Sequence, residues 1–126
     1  MTAVEVLVVE DNEKNLKLAR DVLEHAGFTV HVASTGESGV DLARSVRPDV
    51  ILMDLQLPGM DGHEALAVLR GDPATARIPV VALTAFAMRQ DRERTLAAGF
   101  DGYLEKPISI RAFPDQVREY LREGEP

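Results

Sequence analysis

Cysteine is absent from the 126 residues of this sequence. Without a thiol there can be no disulfide framework, no thiolate metal site and no cysteine nucleophile. A chain of this length can still bury enough apolar surface to fold without such crosslinks. We therefore expect one domain over residues 1–126, with no separate output domain.

Long apolar runs and clustered positive charge are also missing. No run approaches the roughly 20 residues of a membrane-spanning helix, and the N-terminal MTAVEVLVVED has no basic leader. The formal net charge is -7, and the lysines and arginines are scattered along the chain. Nucleic acids and anionic membranes attract clustered Lys and Arg. We expect a soluble cytoplasmic protein that binds neither of them directly.

Short apolar runs alternate with amphipathic segments. The runs that we interpret as strands are VEVLVV (4–9), TVHVA (29–33), DVILM (49–53), PVVALT (79–84) and GYLE (102–105). Between them, apolar residues recur at helical spacing, as in Ala65, Leu66 and Leu69. The first, third and fourth runs are continuously apolar, which is typical of parallel strands covered by helices on both faces. The pattern predicts an α/β fold with a parallel sheet and right-handed crossovers.

Polar side chains follow four of the five predicted strands, and ligands of open parallel sheets bind at those carboxyl ends. The residues are Glu10 and Asp11 after the first strand, Asp54 after the third, Thr84 at the end of the fourth and Lys106 after the fifth. Each has a structural alternative. Asp54 could open a turn, Lys106 could be a surface lysine, and Asp11, Asn12 or Thr84 could cap a helix.

Taken together, these residues indicate a cation site. Carboxylates gathered at one edge repel by about 4 kcal/mol per close pair at an effective dielectric of 20. A divalent ion and a lysine would balance them, and an all-oxygen site suits Mg²⁺ or Mn²⁺ better than Zn²⁺. None of the three histidines has a companion at ligand spacing, so we interpret them as structural or surface residues: His25, His31 and His63. A carboxylate beside such an ion can attack a phosphoryl group, which makes Asp54 a candidate phosphoacceptor.

The stretches VVEDN, LMDLQLPGMDG, VVALTA and GYLEKPIS resemble the CheY-like receiver domains of two-component response regulators over essentially the whole chain. ILMDLQLP, IPVVALTAFAM and KPIS are similar in particular to stand-alone, DivK-like regulators of bacteria. The resemblance implies a flavodoxin-like (βα)5 three-layer sandwich with strand order 2-1-3-4-5. It also implies a phosphorelay protein that receives a phosphoryl group from a sensor histidine kinase or a histidine phosphotransfer protein. Such a protein catalyses only its own phosphorylation and dephosphorylation.

The same resemblance assigns roles to individual residues. Asp54 would be the phosphorylation site, with Asp11 and Asp54 as direct Mg²⁺ ligands and Glu10 holding the ion through water. The backbone carbonyl of Gln56 would be the third protein ligand.

Other residues would bind the phosphoryl group or respond to it. Thr84 would donate its hydroxyl to one phosphoryl oxygen, and Lys106 would pair with another. A cis bond before Pro107 would direct that lysine into the site. Tyr103 matches the aromatic switch residue, which would swing inward as Thr84 is drawn to the phosphate.

The presumed fourth helix, MRQDRERTLAAG, has a thin apolar stripe and many charges. Weakly packed elements move for a small change in free energy. We expect a downstream protein to read the face formed by the fourth helix, fifth strand and fifth helix.

Phe86 lies two residues after Thr84, where a bulky apolar side chain would obstruct the water that hydrolyses a phosphoaspartate; Gln56 could crowd the other side. We predict slow self-dephosphorylation, measured as the lifetime of the phosphorylated protein. A wild-type lifetime no longer than that of Phe86→Glu would count against this role.

Pro114 interrupts the last helical segment, ISIRAFPDQVREYLR, which would otherwise run from about Ile110. A proline inside a helix loses one backbone hydrogen bond and clashes with the preceding turn. The helix must therefore either kink or begin at Pro114 as a first-turn residue.

Three other functions compete with this interpretation. A haloacid dehalogenase-type phosphatase also uses a nucleophilic Asp after a parallel strand, but it needs a second acid two residues later, where this chain has Gln56. A flavin or nucleotide module is disfavoured because the turn VEDNEKN is acidic and lacks glycine. The third is a degenerate receiver that is not phosphorylated, which the presence of all five polar residues at the strand ends disfavours.

Overall fold

The computed structural model describes residues 3–85 and 89–121. Within them, strands and helices alternate strictly. The strands are β1 (Glu5–Val9), β2 (Thr29–Ala33), β3 (Val50–Asp54), β4 (Val80–Thr84) and β5 (Gly102–Glu105). The helices are α1 (Glu13–His25), α2 (Gly36–Val46), α3 (Gly62–Arg70), α4 (Arg89–Ala97) and α5 (Phe113–Glu119). This alternation confirms the predicted α/β class.

The strands form one parallel sheet in the order β2-β1-β3-β4-β5. This is the flavodoxin-like order that the resemblance implied. β3 lies at the centre of the sheet, hydrogen-bonded to β1 on one side and β4 on the other. All five residues of β3 are buried, so its carboxyl end is held from both sides.

Two apolar layers enclose the sheet, because successive side chains of a strand point to opposite faces. On one face, Val6 and Val8 of β1 pack with Leu23 of α1 and Phe113 of α5. On the other, Leu7 and Val9 of β1 belong to the cluster that includes buried residues of α2 and α3. Continuous apolar runs in the inner strands are what these two faces require.

The last helix begins at Phe113, with Pro114 in its first turn. Of the two alternatives for Pro114, the helix start is therefore confirmed. A proline in the first turn costs little, since the backbone N–H that it lacks would have no partner within the helix. Phe113 and Val117 bury this short helix against α1 and the sheet.

None of the helices within residues 3–85 and 89–121 combines the length and the apolar composition that crossing a bilayer requires.

Candidate functional site at the carboxyl ends of the strands

The structure brings the predicted polar residues to one edge of the sheet. Asp54 and Thr84 are the last residues of β3 and β4, and both are buried, with 3% and 5% of their surface exposed. Glu10 and Asp11 directly follow β1, and Lys106 directly follows β5. Since all five strands are parallel, these ends meet on the same side of the sheet.

The two carboxylate oxygens of Asp54 have different partners. Oδ1 accepts a hydrogen bond of 2.9 Å from the backbone N–H of Gln56, and Oδ2 accepts one of 2.9 Å from Lys106 Nζ. The hydrogen bond from the Gln56 N–H is the kind of contact by which Asp commonly stabilises a turn. The second hydrogen bond joins Asp54 to the lysine across the sheet. Asp54 therefore opens the turn and faces the polar cluster at the same time.

Lys106 bridges two buried acids. Its Nζ lies 2.7 Å from Glu10 Oε1 and 2.9 Å from Asp54 Oδ2. The other oxygen of Glu10, Oε2, accepts the backbone N–H of Asn12 at 3.2 Å. The peptide bond between Lys106 and Pro107 is cis.

Asp11 completes the carboxylate cluster. One oxygen each from Glu10, Asp11 and Asp54 lie within 4.8 Å of one another, and Asp11 is the exposed member. The helix cap that Asp11 could have supplied comes instead from Asn12, whose side chain accepts the Asn15 N–H at 3.0 Å. The carboxylate of Asp11 is therefore not the cap of α1.

Burial shifts the titration of this cluster. Desolvation raises the pKa of Glu10, and the neighbouring Asp54 raises it further. Burial by itself would lower the pKa of Lys106, but its hydrogen bonds to Glu10 and Asp54 outweigh that effect and raise the pKa above its ordinary value. The lysine is thus held in its charged form, and it offsets only one of three carboxylates.

A magnesium ion fits this donor set. Three carboxylates and one lysine leave an excess of negative charge that a divalent cation would balance. Within the described residues, the cluster contains only carboxylate ligands. His31 hydrogen-bonds Glu5 at 3.0 Å, His63 packs edge-on against Phe100, and His25 is exposed in the last turn of α1. Oxygen ligands without histidine favour Mg²⁺ or Mn²⁺ over Zn²⁺.

The raised pKa of Glu10 predicts a pH-dependent effect of Glu10→Gln on metal-free protein. The folded state binds the Glu10 proton more tightly than the unfolded state, so wild-type stability falls as pH rises from 4.5 through the raised pKa. The variant lacks this titration. We therefore compare the melting temperatures of the variant and wild type, both in EDTA. The value for the variant minus that for wild type should increase by a few degrees from pH 4.5 to neutral pH.

Thermal unfolding across this pH range, followed by circular dichroism, measures the difference. Glu13→Gln, an exposed change in the first turn of α1, is the control and should show no such trend. A difference between Glu10→Gln and wild type that is independent of pH would contradict the prediction. With saturating Mg²⁺ the trend should weaken, because a bound cation offsets the ionised carboxylate.

Thr84 borders a cavity of about 310 Å³ beside the carboxylate cluster. The lining residues are Leu55, Gln56, His63, Thr84, Asp91, Arg94 and Thr95. The cavity thus lies between the residues that follow β3, the end of β4 and helix α4. Phe86, predicted to affect hydrolysis, lies outside the described residues.

Tyr103 lies in β5, half-buried against the apolar cluster that covers the α2 and α3 face. The guanidinium carbon of Arg92 in α4 is 5.1 Å from the centre of its ring, within the range of a cation–π contact. Arg92 was not among the residues predicted to function. Nothing in the local sequence marks it among the other charges of α4, because the contact forms only when α4 packs beside β5.

Helix α4 is weakly anchored among its described side chains. Thr95 is the buried one, and its hydroxyl donates to the backbone oxygen of Asp91 in the same helix at 2.8 Å. Leu96, the large apolar residue, is 42% exposed. This agrees with the thin apolar stripe in the sequence.

A five-stranded sheet in this order, with an acidic cluster and a lysine at its carboxyl edge, defines a flavodoxin-like domain of the CheY type. Residues 6–118 match the response regulator receiver domain, and the chain belongs to that family. It is 46% identical over 116 residues to the polar-differentiation response regulator DivK of Brucella anthropi, covering 92% of this chain and 94% of the relative. DivK of Brucella ovis is 45% identical over 116 residues, with the same coverage of both chains.

Two solved structures show the same fold. A chemotaxis response regulator of Vibrio cholerae superposes with a TM-score of 0.89 at 27% identity, covering 95% of this chain and 100% of that one. The receiver domain of a sensor histidine kinase from Pseudomonas aeruginosa superposes with a TM-score of 0.86 at 35% identity, covering 94% and 98%. That structure has a magnesium ion coordinated in its active-site cleft. The chain is thus a receiver domain of two-component signalling, a family that interacts with histidine kinases and phosphotransfer proteins and is not one of classical enzymes.

Proposed function

We propose that this protein is a single-domain response regulator that accepts a phosphoryl group on Asp54 in a Mg²⁺-dependent reaction. The donor is a sensor histidine kinase or a histidine phosphotransfer protein. The observation that carries the proposal is the contact of a buried aspartate with a lysine, beside two further carboxylates at the carboxyl edge of the sheet. This function places the protein in the cytoplasm, where ATP-dependent kinases supply the phosphoryl group.

Asp54 supplies the nucleophile. Its carboxylate oxygen forms a bond to phosphorus while the phosphorus–nitrogen bond of the donor phosphohistidine breaks, and the imidazole leaves with the bonding electrons and takes up a proton. The central position of β3 holds the carboxylate in place, since the strand is buried on both faces. The reaction moves one phosphoryl group from the donor to Asp54 and consumes one proton, which the leaving imidazole takes up.

The other polar residues stabilise the phosphorylated aspartate. Lys106 already donates to Asp54 Oδ2, and it can donate to a phosphoryl oxygen attached there. Thr84, the last residue of β4, would donate its hydroxyl to another phosphoryl oxygen. Asp11, Asp54 and the Gln56 carbonyl would hold Mg²⁺ directly, with Glu10 acting through water. When bound, the ion supplies positive charge that offsets the oxygens of the transferred group.

The phosphorylated state is read through a change at α4 and β5. A phosphoryl group on Asp54 draws the Thr84 hydroxyl toward it, which favours inward rotation of Tyr103. That rotation would also break the contact of Tyr103 with Arg92, so that α4 shifts along with the ring. The downstream partner is a protein that binds the α4–β5–α5 face. The exposed Leu96 and the weak anchorage of α4 support this choice of face.

Mass spectrometry of the intact protein tests the proposal. We expect one added phosphoryl group after incubation with acetyl phosphate or phosphoramidate and Mg²⁺, and none in EDTA. Phosphoramidate carries the phosphorus–nitrogen bond of the natural donor, so a failure with both reagents would be decisive. No adduct, in protein whose amide resonances shift saturably with Mg²⁺, would overturn the proposed function.

A further inference from the structure

The β3–α3 loop, residues 55–61, carries the Gln56 carbonyl that the proposed function makes a metal ligand. Hydrogen bonds hold its two ends: the Leu55 N–H donates to the Leu83 oxygen, the Gln56 N–H donates to Asp54, and Asp61 caps α3. Leu57 is the loop's one buried residue, and the others are half-buried or exposed. Its path must therefore depend on what lies against its backbone.

Gly36, the first residue of α2, packs directly against that backbone. A Cβ atom built at Gly36 would overlap the backbone oxygen of Met60 and approach the Met60 Cβ to 3.1 Å. The overlapped atom belongs to the main chain, so no side-chain rotation can relieve the contact. Only a hydrogen at this position lets α2 begin where it does.

Gly62, the first residue of α3, holds the loop from its other end. A Cβ there would lie 2.5 Å from the backbone oxygen of Asp54 and 2.9 Å from the Cα of Leu55. The loop thus runs between the starts of two helices, each of which meets it with a glycine. Gly62 touches the phosphoacceptor residue itself, whereas Gly36 touches the loop from a different element.

A side chain at position 36 would displace the loop rather than α2. Helix α2 is fixed by buried Val40 and Ala43 and by a reciprocal capping box between Thr35 and Ser38. The loop is held less firmly: Leu57 is its one buried residue, and Leu55 and Met60 pack half-buried against the same apolar cluster. Loss of a residue that orients a metal ligand typically costs roughly 10–100-fold in metal affinity.

We propose that Gly36 is a positioning residue for the metal site, acting through Met60 on the loop that carries the Gln56 carbonyl. The three atoms nearest to a Cβ at this position all belong to Met60 and not to the three carboxylates. The inference rests on the proposed function, because it takes that carbonyl to be a metal ligand.

The test is the Mg²⁺ affinity of Gly36→Ala. The dissociation constant is measured from the saturable shifts of the Asn12 and Gln56 amide resonances, and the melting temperature is measured separately in EDTA. We expect the dissociation constant to rise about tenfold or more, because the loop is displaced. A dissociation constant unchanged from wild type would overturn the inference.

Two other glycines provide controls. Gly71 follows α3, and a Cβ there would meet its nearest atom at an ordinary 3.4 Å, so Gly71→Ala should alter neither quantity. Gly39 lies in α2, and a Cβ there would come within 2.7 Å of a Val9 methyl carbon. Gly39→Ala should lower the melting temperature and leave the affinity within about twofold of wild type. If Gly39→Ala lost as much Mg²⁺ affinity as Gly36→Ala, general loss of packing would explain both losses. That result would overturn the specific role of Gly36.

The wild-type titration separates the possible failures. No saturable Mg²⁺ binding by wild type would contradict the proposed function itself, whereas equal binding by wild type and Gly36→Ala contradicts only the role of Gly36. If Gly36→Ala does not fold, the wild-type spectra decide. Mg²⁺ should then shift the Gly36 amide more than those of Gly39 and Val40, and a smaller or equal shift would overturn the inference.

Discussion

Asp54→Asn is expected to abolish the gain of a phosphoryl group completely. An amide is not a nucleophile toward phosphorus under these conditions, and Asp54 is the one carboxylate among the described residues that contacts both Lys106 and the Gln56 N–H. The measurement is the intact mass after incubation with acetyl phosphate and Mg²⁺. We expect wild type to gain close to one phosphoryl group per chain. The variant should gain no more than the background level.

Asp41→Asn is the matched control for this experiment. Asp41 is an exposed carboxylate of α2, and its ion pair with Arg44 is long, at 3.6 Å. The control should be modified as fully as wild type. A phosphoryl group gained by Asp54→Asn would show that the acceptor is not Asp54. Failure of Asp41→Asn to gain one would show that modification depends on overall charge.

Lys106→Met is expected to have the largest effect on stability. The lysine is the cation shared by two buried carboxylates, at 2.7 and 2.9 Å, and its side chain is 18% exposed. Removing one partner of a buried ion pair leaves the other charge uncompensated, at a cost of about 3 kcal/mol. We expect a loss of this size in the free energy of unfolding without metal, measured by denaturant titration in EDTA. The rate of phosphoryl uptake should fall on the order of a hundredfold, because a donor to the reacting group is lost.

Magnesium and pH distinguish the role of Lys106 from simple packing. Saturating Mg²⁺ should recover part of the lost stability, since the ion offsets the same carboxylates. The pKa of Lys106 is raised, so its contribution is fully present below 10.5, the ordinary value, and is lost as the pH rises through the raised pKa. The difference between wild type and variant should therefore persist from neutral pH to about 10.5.

Lys14→Met controls for loss of a surface charge. Lys14 is exposed in α1, and its removal should change stability by no more than about 0.5 kcal/mol. A loss in Lys106→Met that is the same with and without Mg²⁺ would contradict the electrostatic explanation and leave the packing of the lysine stem as the cause.

The strands and the edge that carries the site were predictable because both depend on local patterns, whereas the order of the strands was predicted only from the resemblance to receiver domains. Continuous apolar runs predicted strands buried on two faces, and residues at the ends of those runs were placed at one edge by parallel geometry alone. Asp54 shows the limit of this reasoning. The sequence offered a turn residue and a site residue as alternatives, and the structure has one carboxylate oxygen in each role.

The helix ends show the same limit. The sequence allowed either Asn12 or Asp11 to cap α1. The cap is Asn12, because the choice depends on where the chain leaves β1. Pro114 could kink a helix or begin one, and the burial of Phe113 against the core selects the second. Such choices depend on packing between distant segments, which residue type alone does not specify.

What the sequence by itself determined is the chemistry available at four of the five strand ends: three carboxylates, a hydroxyl and an ammonium, with no thiol in the chain. Only the tertiary structure decided how these groups share their contacts. Lys106 reaches Asp54 across 52 positions of sequence, and Arg92 meets Tyr103 between a helix and a strand. The approach of Gly36 to Met60 likewise joins two separate elements. Propensity and periodicity act over a few residues, whereas these contacts exist only once the sheet has brought separate segments together.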